Sequence, residues 1–182
     1  MLLKAIRCTD TYCAVRRLRE NRGGKQVLTP YIVSTVFVLA VVVLCFARPN
    51  AGRIFLGLFF MVMGIGVHGA IILTNPQVYM GFGNGALIPL YRELSLRVIA
   101  ALSPVLFGLL VAAFEIAVGL MVLNKQKYVK MGLLGMTVFE IALTPSDAIQ
   151  FIWLGLVVGQ VYLLTKEFDT TFLEMLRSRK RA

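Results

Sequence analysis

The chain has 182 residues, of which 58% are hydrophobic and 15% charged, with 19 lysines and arginines against 9 acids for a formal charge of +10. Soluble domains carry about 25% charged residues, so this composition excludes an ordinary soluble globular protein. The basic excess does not read as a nucleic-acid footprint, because the charges stand in tails and loops around long apolar blocks, where they set topology and meet anionic lipid headgroups.

The fold class expected is all-α: an integral membrane helical bundle of about five transmembrane helices, a four-helix core plus an N-terminal span, with short interfacial helices. In lipid a spanning segment satisfies its backbone polar groups internally, which a helix does. Three regions follow. Residues 1–26 form a basic extramembrane tail, 27–165 the transmembrane domain, and 166–182 an interfacial helix ending in a basic tail.

The tail carries Lys4, Arg7, Arg16, Arg17, Arg19, Arg22 and Lys25. Cys8 and Cys13 stand in it without the spacing of a redox or zinc motif and read as spectator thiols. So long a polar lead argues against a secretory signal peptide. The first span is expected over 27–47, with Pro30 near its start, where the missing N–H is harmless. Arg48-Pro-Asn-Ala-Gly-Arg53 reads as a tight turn into the second span, 54–73, which Thr74-Asn75-Pro76 closes. Met80-Gly-Phe-Gly-Asn-Gly85 reads as another turn. Residues 88–102 read as a helix lying along the interface, since Arg92, Glu93 and Arg97 stand among apolar neighbours. Ser103-Pro104 resembles a helix N-cap with proline in the first turn, opening a third span over 104–123.

Residues 128–165 set the helix count. One helix of that length would run about 57 Å, nearly twice the hydrocarbon thickness of about 30 Å. Thr144-Pro145-Ser146-Asp147 has the form of a helix start with an acid in the first turn. Two spans are therefore expected, 128–143 and 145–165, although a re-entrant 128–143 segment fits as well. Four spans would gather the basic residues on one face, the usual orientation signal, whereas five divide them almost evenly. The length argument favours five.

Ionisable residues inside spans are costly and mark candidate sites. His68, Glu115 and Glu140 are the three. In antiparallel spans they fall about 10, 16 and 6 Å from the face that carries residues 75–103. Asp147 and the starts of the third and fifth spans open on that face, and helix N-termini favour anionic or carbonyl groups. The expected picture is a polar mouth of His68, Glu115, Glu140 and Asp147, a ligand or quinone pocket; packing glue between helices is the competing role. Arg53, Arg92 and Arg97 are assigned to topology and headgroup contacts. One histidine and scattered carboxylates offer no metal-ligand spacing, and no catalytic triad or HExxH motif occurs.

From 53 to 165 the chain resembles the DoxX-like group of small four-helix membrane proteins. Arg53-Ile-Phe-Leu-Gly57 with Gly64, Asn75-Pro76, Phe114-Glu115-Ile-Ala-Val-Gly119, Gly132 and Phe139 carry the likeness. It implies association with membrane redox systems as a quinone-linked or accessory subunit. Arg53 and Glu115 match polar positions of that pattern; His68 has no counterpart in it. The function expected is a non-catalytic accessory or anchoring subunit of a larger, quinone-linked membrane complex. A quinone- or lipid-binding membrane oxidoreductase is the first alternative and a small proton-coupled transporter the second. Membrane lipids and other membrane subunits are the expected partners, and a quinone or bound lipid the expected ligand.

Overall fold

The computed structural model describes residues 10–179, with side chains from 28 to 177. Lys4, Arg7, Cys8 and the terminal Lys180 and Arg181 lie outside the described residues. Every regular element among the described residues is a helix. Helix α1 (Asp10–Ala47) takes in much of the expected tail, so Pro30 sits in the interior of a helix and not near its start. A single residue, Arg48, separates it from α2 (Pro49–Val62), and the expected turn over 48–53 is already helical from Pro49. Proline at the first helical position explains the immediate restart, since its fixed φ suits a helix and its missing N–H is not needed there.

The second helix does not run uniformly. After α2 the hydrogen bonding widens to a π-helix over Met63–His68, then returns to α-helix in α3 (Gly69–Thr74). Helix α4 (Val78–Gly85) stands where a glycine-rich turn was expected, and α5 (Pro89–Leu102) where the interfacial helix was. Helix α6 (Pro104–Val122) follows at once. Ser103 adopts φ 68°, which turns the chain without a linker, and its Oγ accepts a bond from the Leu106 N–H at 3.4 Å.

Helix α7 (Lys127–Leu143) ends in a 3-10 turn, Thr144–Ser146, tied by Thr144 Oγ1 to the Glu140 carbonyl and by Ser146 Oγ to the Leu143 carbonyl. Asp147 is extended and exposed, so the fifth helix does not begin at 145. It begins at Gln150, as α8 (Gln150–Trp153), and continues through a turn into α9 (Leu156–Leu164). Residues 166–171 are irregular; the terminal helix, α10, spans Phe172–Arg179, shorter and later than expected.

The long helices close a ring in which α1 packs on α2, α2 on α6, α6 on α7, α7 on α9, and α9 back on α1. Glycines set the closest approach. A Cβ at Gly119 would stand 2.7 Å from the Gly57 carbonyl, and one at Gly64 2.8 Å from the Ala112 carbonyl. Both pairs are spaced by seven residues, so two successive crossings of α2–α3 with α6 rest on small residues. Gly159 packs on the Cys45 side chain across α9 and α1, where a Cβ would stand 3.1 Å from its Sγ. The buried centre holds Leu56, Phe60, Val122, Leu133, Met136 and Leu163. Outward faces are apolar too: Leu39, Val43, Leu134, Val138 and Val158 are exposed by more than half. Three helical stretches, Leu28–Ala47, Pro49–Thr74 and Pro104–Val122, are long and apolar enough to cross a membrane.

Candidate functional site

Helices α4 and α5 lie over one end of the ring and enclose a cavity of about 260 Å³ beneath them. Its wall is largely aromatic, from Phe59, Phe60, Tyr79, Phe107, Phe139 and Trp153. Trp153 stacks on Phe59 at 5.8 Å between ring centroids, and Phe139 packs on Phe60 and Phe114. Tyr91, Ser95 and Ile99 complete the roof. Their spacing of four residues puts them on one face of α5, while Arg92 and Arg97 are exposed. Val67 and Phe82, both exposed, also line the cavity and mark where it reaches the surface.

Three of the four expected pocket residues meet here. His68 Nδ1 lies 2.8 Å from the Tyr79 hydroxyl, and its Nε2 lies 3.4 Å from Glu115 Oε2. Glu140 lines the same cavity from α7. His68 closes the π-helical stretch, four residues after Gly64, and so stays on the face that meets α6. Tyr79 is held by Gly108, where a Cβ would stand 2.5 Å from the phenol ring. Burial first, and the Glu115 charge second, raise the Tyr79 phenol above its ordinary pKa, which keeps it a hydroxyl donor. When Tyr79 donates to Nδ1, the imidazole carries its proton on Nε2, facing Glu115.

The carboxylates are not fully satisfied. Glu115 is 4% exposed, and its Oε2 has no hydrogen-bond partner among the described residues. Such an atom is normally paired when buried. Asp147 is the exception among the expected pocket residues: it is exposed and outside the cavity lining, because the helix start that would have turned it inward lies three residues later. Ser146 and Gln150, on either side of it, do line the cavity.

Arg53 corrects a second expectation. It is fully buried, at 0% exposure, and so does not meet headgroups. Its Nε donates to Asn50 Oδ1 at 3.1 Å, Nη1 to the Asn124 carbonyl at 2.6 Å, and Nη2 to the Thr170 carbonyl, with the guanidinium 4.6 Å from the centre of the Phe168 ring. It caps the carbonyl end of α6, where the helix dipole favours a cation. The segment after α9 is thereby fastened to the α6–α7 link, helped by the Gln126 N–H to the Phe168 carbonyl and the Phe172 N–H to the Leu123 carbonyl. Of the other two arginines, Arg97 pairs with Glu93 one turn away, and Arg92 donates to the Ala86 carbonyl at 3.0 Å. Both are exposed.

Gln160 is a further buried polar group, outside the cavity. Its Oε1 lies 2.9 Å from Thr137 Oγ1 while its Nε2 has no hydrogen-bond partner among the described residues. Sequence reasoning missed Tyr79 and the aromatic wall. The signal available was weak, a tyrosine three residues past Asn75-Pro76. No protein-family model matches the chain, and no curated protein or solved structure matches it either.

Proposed function

We propose that this is an integral membrane protein whose cavity binds a small amphipathic ligand drawn from the bilayer, its polar end against His68, Glu115 and Tyr79 and its apolar body toward the opening at Val67 and Phe82. The observation that carries the reading is an aromatic-lined, ring-sized void into which His68, Tyr79, Glu115 and Glu140 converge. Ligand pockets are mostly apolar, with a few convergent polar groups that fix orientation. Quinones and lipids both belong to this ligand class. A bilayer setting is supported by the outward faces. Met131, Leu134, Val138 and Ile141 on α7, and Phe151, Val158 and Val161 on α8–α9, present apolar side chains outward as the three longer helices do. At about 26 and 23 Å, these two helices are short for a core of about 30 Å. Five spans, with the two short ones beneath the α4–α5 roof, is the count we propose.

The accessory-subunit reading is a second proposal. It is supported by how little chain lies outside the helices: the links 75–77, 86–88, 123–126 and 147–149 are all short. A quinone-linked partner of the kind the DoxX-like resemblance implies would then carry the chemistry.

Native mass spectrometry of the protein in lipid nanodiscs tests the ligand reading. We expect a retained small amphiphile in the wild type and its loss in Gly108→Leu, whose side chain displaces Tyr79. A wild type that releases only bilayer lipids, in the same amounts as the variant, would overturn it.

A further inference from the structure

The chemistry of the cavity specifies the polar end of its ligand, an inference that rests on the ligand-binding reading above. Two carboxyl groups, Glu115 and Glu140, line one small void. Among the described residues lining it there is no lysine or arginine, and His68 is the only other ionisable nitrogen. Glu115 Oε2 makes no hydrogen bond among the described residues, with His68 Nε2 3.4 Å away, and none reaches the Glu140 carboxyl, although Glu140 is 7% exposed. The site thus holds two carboxyls and neither of the permanently charged side-chain cations. A phosphate would add negative charge beside them. A protonated amine supplies the missing counter-charge.

The walls favour the same ligand. The ring faces and edges of Phe59, Phe60, Phe139 and Trp153 surround the space next to the carboxyls, and aromatic faces attract a cation more strongly when water is excluded. We propose that the cavity selects an organic ammonium: an amphiphile whose protonated amine sits between Glu115 and Glu140 and whose apolar part extends past Val67 and Phe82. Binding forms a charge-assisted N–H···O bond to these carboxylates; no covalent step is involved.

The protein's single tryptophan, Trp153, lines this cavity and reports on it directly. The experiment titrates the nanodisc-embedded protein with N,N-dimethyl-3-phenylpropylamine and with 4-methylpentylbenzene, in which carbon replaces the nitrogen, following Trp153 emission. We expect the amine to bind the wild type at least about tenfold tighter than the hydrocarbon, the size of one charge-assisted contact. Glu115→Gln and Glu140→Gln should each reduce that preference, with the hydrocarbon affinity unchanged. Equal binding of the two probes would overturn the ammonium inference and leave the ligand-binding reading standing. No change in Trp153 emission with either probe would overturn both. The wild-type ratio decides the matter even where a variant fails to fold.

Discussion

The two ends of this molecule treat buried charge in opposite ways. At one end Arg53 is fully enclosed, and each of its nitrogens donates to an oxygen, from Asn50, Val122, Asn124 or Thr170. At the other, Glu115 is almost as deeply buried, yet its Oε2 makes no hydrogen bond among the described residues, with His68 Nε2 3.4 Å away. A buried ionisable group with all its partners in place belongs to the architecture. One left short beside a cavity is where the proposed ligand would add a partner, since an unpaired buried acceptor costs stability.

The comparison is open to breaking at both ends. The largest effect is expected at Arg53. Arg53→Ala leaves the α6 carbonyl end and the 166–171 segment without their shared donor, and should cost on the order of 3 kcal/mol or more. Thermal unfolding in detergent would register it. Arg53→Lys should recover little, since one ammonium cannot span donors directed at Asn50, Asn124 and Thr170. Gly119→Ala comes next. Its new methyl meets the Gly57 carbonyl at 2.7 Å, a backbone atom that cannot swing aside, and about 1–3 kcal/mol should be lost. A melting temperature equal to wild type would mean that α2 and α6 separate more easily than their contact implies.

His68→Ala should cost about 1–2 kcal/mol, because it strips the buried Glu115 carboxylate and the Tyr79 hydroxyl of a shared polar neighbour. It should weaken ligand binding about tenfold by freeing Tyr79 and Glu115 from their alignment. Trp153 fluorescence titration measures this. The smallest effect belongs to the exposed staple on the Arg53 side. The Thr171 N–H bonded to Glu174, with Lys125 beside it at 3.1 Å, holds the Glu174 carboxyl below the usual carboxylate range. A lowered folded-state pKa contributes stability above the unfolded value that disappears as pH falls through the folded one. Amide exchange at Phe172 should therefore rise only in acid, below the ordinary glutamate pKa. Equal exchange in Glu174→Gln and wild type at neutral pH would show that the staple does nothing.

Helical class and the third helix were legible because long apolar runs with a Ser-Pro start leave few alternatives. So was the convergence of His68, Glu115 and Glu140, since depth along antiparallel helices follows from rise per residue alone. Arg53 was misplaced for a physical reason. Position near a helix start suggested headgroups, but its burial depends on the irregular 166–171 segment folding back, a contact between residues over a hundred positions apart. Asp147 failed differently: the Thr-Pro-Ser-Asp pattern fits a helix start, yet the Thr144 and Ser146 side chains cap α7 instead and delay the next helix to Gln150. The π-turn at 63–68 leaves no compositional trace beyond its glycines.

The most direct test sets the two ends side by side. Arg53→Ala and Glu115→Gln would be melted without ligand in the same nanodiscs, each then titrated with the phenylpropyl amine. The account predicts a large loss of stability for Arg53→Ala alone, and for Glu115→Gln a melting temperature equal to or above wild type with amine selectivity gone. A Glu115→Gln protein that melts well below wild type while retaining amine selectivity would contradict it, and would make Glu115 a packing residue like Arg53.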